Sequence, residues 1–130
     1  MVVSRTVEFG ELCNSIMSSD RNVRSVLIIN QNGAVLHQTA QQKFVQPNLD
    51  RWNDTHFMEC ILEISMGGRF DEFYGPIRYH HSEKSDFIMF SFPFLKNVIL
   101  VTCVKKVSPI AFATEVSGRI HNVINGILQE

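Results

Sequence analysis

Two histidines stand side by side at positions 80 and 81, and histidine is the commonest metal ligand among protein side chains. The residues around them predict a β-strand, in which neighbouring side chains point to opposite faces of the sheet. His80 and His81 therefore cannot hold one ion together. His56 and Cys60 are four residues apart on a predicted helix and share a face, but no third ligand follows at a fixed spacing. We predict no metal site and interpret His56 and Cys60 as packed side chains with a polar tip.

Sequence patterns of common catalytic sites are missing from the chain. It contains no Gly-x-Ser-x-Gly, His-Glu-x-x-His or glycine-rich phosphate-loop motif. Asp71 and Glu72 form an acidic pair, but neighbouring acids at a helix end are usually solvated. The three cysteines form no Cys-x-x-Cys pair, which favours reduced and mostly buried thiols. We predict that the protein is not an enzyme and binds no cofactor.

The composition predicts a single globular domain over residues 1–130. Hydrophobic residues make up 45% of the chain and charged residues 19%, with a net charge of −1. A phosphate-binding surface needs clustered Lys and Arg, and the only basic pair is Lys105-Lys106. No apolar run reaches the roughly 18 residues that a membrane span needs, and residues 1–6 do not resemble a signal peptide. We expect a cytoplasmic protein without nucleic-acid binding or a membrane span.

Two apolar segments between Asp86 and Val104 organise the rest of the chain. They cover residues 87–92 and 98–104, are rich in aromatic and β-branched residues, and are separated by a break at Pro93–Asn97. Apolar residues occupy both alternating faces of each segment, so both faces of the sheet must be covered. The pattern predicts two central strands with helices on both sides.

The chain before this hairpin predicts a helix, a strand pair and a second helix. Apolar residues recur at helical spacing from Phe9 to Met17, and an apolar strand follows from Val23 to Asn30. Asn32-Gly33 favours a type I′ hairpin turn into a more polar strand over residues 34–39. The middle helix begins near Asn48, weakens at its two glycines (67 and 68) and resumes to about residue 74.

Two further segments complete the series of elements. Ile77 to His81 is predicted as a polar edge strand, and Ser108-Pro109 begins a last helix with an apolar stripe to Ile127. The order is therefore α-β-β-α-β-β-β-α. A five-stranded antiparallel sheet in the order 2-1-5-4-3 puts the polar strands at the edges and the apolar strands inside. The fold class is α+β, with three layers in the order α-β-α.

The chain resembles the roadblock/LC7 family in this order of helices and strands. The local resemblance is strongest over Val26–Val35, which is similar to the opening hairpin of the family. The resemblance implies that the first and last helices cover one face of the sheet and the middle helix covers the other. The hairpin is shared with profilin-like and PAS-like folds. A closer resemblance is to a family of short archaeal proteins of unknown role. It rests on residues 63–66, Phe70-Asp71, Gly75-Pro76 and Ser91-Phe92-Pro93, with Gly67-Gly68 as a departure.

Roadblock-like domains pair through the middle helix and the strand after it, and they serve as platforms for small GTPases or larger assemblies. The resemblance therefore implies a non-catalytic interaction module that forms a homodimer. A physical reason for dimerisation exists independently of the family. An uncovered edge strand and a helix that is apolar around much of its circumference both need a partner. Trp52 is either a core residue or an anchor for another protein. The predicted dimer interface consists of Met58, Ile61, Leu62, Glu63, Ile77, Arg78, Tyr79, His80 and His81.

A PAS-like sensor is the alternative interpretation. In that case the sheet and the middle helix would enclose a small molecule, lined by Tyr79, Phe87, Phe90, Phe92 and Trp52. The same aromatic residues would serve equally well as ordinary core. Sensor domains are usually tethered to an output domain, so we favour the interaction module.

Overall fold

The structure, a computed structural model, describes residues 2–41, 58–65, 71–104 and 106–128. Helices and strands follow one another in the predicted order, with one short additional helical turn after the middle helix. They are α1 (Val2–Ser19), β1 (Val23–Ile29), β2 (Val35–Ala40), α2 (58–65), α3 (Asp71–Tyr74), β3 (His80–Glu83), β4 (Phe87–Phe94), β5 (Asn97–Val104) and α4 (Pro109–Leu128).

The five strands form one antiparallel sheet in the order β2-β1-β5-β4-β3, as predicted. The apolar strands β1, β5 and β4 are internal, and the more polar β2 and β3 form the edges. Edge strands lie half in solvent, so polar side chains are tolerated there, whereas an internal strand is covered on both faces. The strand order follows from the distribution of apolar residues.

Helices cover both faces of the sheet. On one face, α1 and α4 pack against alternate residues of β1, β4 and β5, and Arg119 of α4 donates hydrogen bonds to the carbonyl oxygen and Oγ of Ser15 on α1 at 3.0 and 2.8 Å. On the other face, α2 packs against the intervening residues of β1 and β5. The three layers of the prediction are confirmed. The larger core contains Leu12, Ile16, Val26, Ile28, Phe90, Phe92, Phe94, Ile99, Val101, Phe112, Val116 and Ile120; the smaller one contains Leu27, Ile29, Cys60, Ile61, Val98 and Leu100.

The β1–β2 hairpin is at the predicted place, but its turn is not the predicted type I′. Only Gly33 has a positive φ, of 83°, whereas a type I′ turn needs two such residues. The amide of Gly33 donates to the carbonyl oxygen of Asn30 at 3.0 Å, and the Asn30 side chain accepts from the amides of Asn32 and Ala34. Because the Asn30 side chain closes the loop, Asn32 keeps a negative φ and Gly33 alone takes the left-handed conformation.

The central hairpin is tighter than predicted. β4 continues through Pro93 to Phe94 and β5 begins at Asn97, so the loop is only Leu95 and Lys96. Pro93 interrupts no pairing with β3, because β3 begins opposite Ser91. The sequence prediction that the strand breaks at Pro93 was therefore wrong.

β3 begins at His80 and ends at Glu83, and the predicted strand over Ile77–His81 was placed too early. Extending the observed pairing of His80 with Ser91 backwards would put Arg78 opposite Pro93, which has no amide hydrogen. The ladder therefore starts only after that point. Residues 77–79 precede β3 as an irregular segment.

Candidate interaction site

The outer edge of the sheet is β3, whose side chains alternate between the two faces. His80 and Ser82 lie on the α2 face, since they pair with Ser91 and Met89. His81 lies on the opposite face, where its ring is 5.8 Å from Phe90 and 6.0 Å from Tyr79. The adjacent histidines thus point to opposite faces, as predicted. Among the described residues, no group of three His, Cys, Asp or Glu side chains is arranged to hold a metal ion.

The helix α2 has one buried side and one exposed side. Cys60 and Ile61 are buried against β1 and β5, and Ile64 packs beside them. Met58 and Leu62, four residues apart, share the outward side and are 37% and 49% exposed. Ile61, predicted as part of the interface, thus lies in the core of the single chain, and Met58 and Leu62 supply the exposed apolar surface of α2.

A narrow cleft separates α2 from β3. Glu59 and Glu63, again four residues apart, line it from the helix, and His80, Ser82 and Lys84 line it from the strand side. Its volume is about 70 Å³, enough for a few water molecules but not for an organic ligand. Acidic side chains of the helix therefore face basic side chains of the edge strand and its turn.

Two aromatic residues project from α3, the short turn between α2 and β3. Phe73 is 76% exposed and Tyr74 is 85% exposed. Side chains of this size are rarely left so open on a soluble monomer unless they contact another molecule. The sequence placed these residues on an apolar helical stripe without distinguishing core from surface.

The other predicted interface residues lie just before β3. Ile77 and Tyr79 are half-buried, and Arg78 is exposed. Tyr79 packs against Phe90 and Phe92 of the larger core, so only part of its ring is available to a partner. Trp52 and His56 lie outside the described residues.

A larger open groove lies on the opposite face of the sheet. Its volume is about 590 Å³, and it runs between α4 and the segment that leads into β3. Arg78, Tyr79 and Phe92 form one side, and Ser117, Gly118 and His121 are among the α4 residues on the other. The larger of these two spaces is therefore beside α4, not between the sheet and the described part of the middle helix, where the sensor interpretation had placed a ligand.

The three cysteines are buried thiols that form no disulfide bond. Burial raises the pKa of Cys13 and of Cys103 to about 12, because a thiolate would lose its hydration in the core. Burial also raises the pKa of Cys60, against the opposing effect of a hydrogen bond with Ser91. The prediction of buried thiols is confirmed, and these cysteines are poor nucleophiles and poor metal ligands at neutral pH.

Comparison with solved structures identifies the architecture. A roadblock/LC7 domain from Streptomyces avermitilis superposes with a TM-score of 0.66 at 12% sequence identity, covering 90% of this chain and 95% of that one. The chain has the roadblock/LC7 fold. MglB of Myxococcus xanthus has this fold too, with a TM-score of 0.69 at 11% identity over 95% of this chain and 90% of that one. An MglB in a tetrameric arrangement gives 0.62 at 15% identity, covering 90% and 82%.

The likeness is one of structure and not of sequence. No family model matches this chain, and no curated protein sequence does so either. The resemblance to a family of short archaeal proteins stays a prediction. In the described part of the roadblock/LC7 fold, no helix is both long and apolar enough to cross a membrane.

The sequence prediction missed Ser82 and Lys84, which line the cleft from the strand side together with His80. Both were left out because the edge strand was placed too early in the chain. Pro93 was the signal that could have placed the start of β3 correctly. A proline in an internal strand has no amide hydrogen to donate, so the neighbouring strand cannot extend past it.

Proposed function

We propose that this protein is a non-catalytic interaction module that works as a homodimer, with α2 and β3 as the shared surface. The observation that carries the proposal is that α2, which exposes Met58 and Leu62, lies across a narrow cleft from the edge strand β3. Met58 and Leu62 supply apolar area, and β3 supplies a backbone edge. A two-fold axis beside β3 would cover both features with one self-complementary surface.

The proposed interface keeps most of the predicted residues and changes the role of one. Leu62 and Met58 would contact the partner helix, and His80 and His81 would lie at the strand edge. Ile61 would support the helix from below rather than touch the partner. Glu63, Ile77, Arg78 and Tyr79 would lie around this centre.

The dimer would present a platform for another protein, and a small GTPase is the partner that the roadblock/LC7 resemblance implies. Phe73 and Tyr74 are the exposed aromatic residues best placed to anchor such a partner, and Trp52 is a further candidate. We propose that residues 1–130 act as one domain in the cytoplasm, where cysteines are usually kept reduced, as these three buried thiols are. No enzymatic step is part of this function.

The proposal is tested by placing a charge on the exposed side of α2. Leu62→Asp should convert a dimer into a monomer in sedimentation velocity, because an unpaired carboxylate would be buried in the contact. Ile110→Asp is the matched control, since Ile110 is also an exposed apolar residue but lies in the first turn of α4. The control should sediment like the wild type. Equal effects of both substitutions, or no effect of either, would contradict the proposed surface.

The sensor alternative has one observation in its favour, the groove of about 590 Å³ beside α4. Ligand pockets in proteins have volumes of roughly this size. A monomeric wild type would make this interpretation the stronger one.

A further inference from the structure

We propose that β3 pairs with β3 of a second copy in one defined register, with Ser82 opposite Ser82 of the partner subunit and His81 opposite Glu83 of the partner subunit. The inference rests on the proposed homodimer and specifies which residues meet at its two-fold axis. It follows from the direction of the β3 amides, the symmetry of the pairing and the charges along the strand.

Hydrogen bonding within the chain fixes the direction of the β3 amides. The amide of Lys84 donates to the carbonyl oxygen of Phe87 at 2.7 Å, so the backbone groups of residue 84 point toward β4. Backbone groups alternate in direction along an antiparallel strand. Those of His80 and Ser82 therefore also point toward β4, and those of His81 and Glu83 point toward the outer edge of the sheet.

Symmetry then restricts the possible registers. In an antiparallel pair, residues directly opposite each other project from the same face of the sheet. Even-numbered residues of β3 lie on the α2 face and odd-numbered residues lie on the other face. An even-numbered residue must therefore lie opposite an even-numbered residue of the second copy, and an odd-numbered residue opposite an odd-numbered one. Because the two copies are related by a two-fold axis, one residue of β3 then lies opposite its own copy at that axis. The candidates within β3 are residues 80, 81, 82 and 83.

The charges favour Ser82 among these four. A register centred on Glu83 would set two carboxylates opposite each other, and registers centred on His80 or His81 would set two imidazoles opposite each other. Centring on Ser82 instead places an imidazole opposite a carboxylate on both sides of the axis. The two copies would exchange backbone hydrogen bonds at these His81–Glu83 positions, where the amides already point outward.

The α2 face is compatible with the same register. It puts the smallest side chain of β3 at the axis, on the face of the sheet that α2 covers. It also sets His80 opposite Lys84 of the partner subunit, two basic groups that would repel each other if left alone. Glu59 and Glu63 line the cleft beside His80, so their carboxylates would offset that repulsion.

Disulfide trapping tests the register directly. In a Cys60→Ala background, which removes the native thiol lining the same cleft, Ser82→Cys should form a covalent dimer when diamide oxidises the two thiols and takes up their two electrons and two protons. Opposed residues at a site without mutual hydrogen bonds have Cα atoms about 4.5 Å apart, within the range that a disulfide spans. His81→Cys and Glu83→Cys are the matched controls, because each new thiol would lie diagonally from its own copy, at about 7–8 Å.

The expected result is a covalent band of twice the chain mass for Ser82→Cys, little for either control alone, and a mixed dimer when the two control variants are combined before oxidation. Trapping of His81→Cys alone would overturn the register while leaving the homodimer in place. A Ser82→Cys protein that is a dimer by mass yet forms no covalent band, with no mixed dimer from the controls, would overturn the β3 seam. Monomeric protein throughout would instead overturn the proposed function itself. The mixed dimer keeps the test decisive if Ser82→Cys fails to fold.

Discussion

At the scale of single residues, the chemistry of this protein is one of burial and not of reactivity. Cys13 and Cys103 have almost no exposed surface, and the pKa of each is raised to about 12. The unfolded chain would release these protons near pH 9, so a thiolate is favoured only once the chain unfolds. Burial of these thiols could be predicted from the sequence, because each cysteine lies within an apolar periodic segment.

The raised pKa values predict an alkaline weakness. The contribution of the neutral thiols to stability is complete below about pH 9, and it is lost as the pH rises toward the folded value of about 12. Cys103→Ala should therefore flatten the decline in the free energy of unfolding between about pH 9 and about pH 12, measured by urea denaturation at each pH.

Ser25→Ala serves as the control, since it alters a buried residue of β1 without removing a thiol. Its decline with pH should match that of the wild type. The same slope in Cys103→Ala as in the wild type would show that Cys103 does not have the raised pKa assigned to it.

At the scale of elements, the apolar pattern predicted the strand order but not the ends of the strands. Three segments with apolar residues on both faces had to be internal, and this alone put β2 and β3 at the edges. The limits of β3 and β4 depended on pairing partners distant in sequence, and local patterns do not contain that information. Pro93 within β4 illustrates the point, since a residue that usually interrupts strands is accommodated because its neighbour β3 starts later.

The β4–β5 hairpin carries a backbone conformation that its sequence does not favour. Leu95 has a φ of 56° in a two-residue loop, although a branched side chain is unfavourable there. Leu95→Gly should raise the free energy of unfolding by about 1 kcal/mol in chemical denaturation, because relief of a strain of 1–3 kcal/mol outweighs the greater entropy of glycine in the unfolded chain.

The neighbouring loop residue gives the comparison for this prediction. Lys96 has a negative φ, so Lys96→Gly should lower the free energy of unfolding by roughly 0.5 kcal/mol through chain entropy alone. If Leu95→Gly destabilised the protein as much as Lys96→Gly does, the positive φ of Leu95 would carry no strain.

At the scale of the whole molecule, helices cover one face of the sheet closely, whereas the β3 edge is left open in the described structure. The face covered by α1 and α4 buries Phe90, Phe92, Phe94 and Phe112. Leu62 of α2 and the α3 residues Phe73 and Tyr74 are exposed, and β3 has no further neighbour in the described sheet. The sequence could predict that this helix and strand belong together, from the resemblance in their order. It could not separate Ile61, which lies in the core, from Leu62, which lies outside, because only the packing angle of α2 decides between them.

The molar mass of the wild-type protein in solution decides whether the protein is a homodimer. Light scattering coupled to size exclusion at tens of micromolar should give twice the chain mass of 14.9 kDa, because a stable self-complementary interface would cover the β3 edge and the outer side of α2. The mass should stay at that value on several-fold dilution. A mass of 14.9 kDa at this concentration would rule out the homodimer, since the edge strand and the exposed apolar side chains would then have no copy of this chain to cover them.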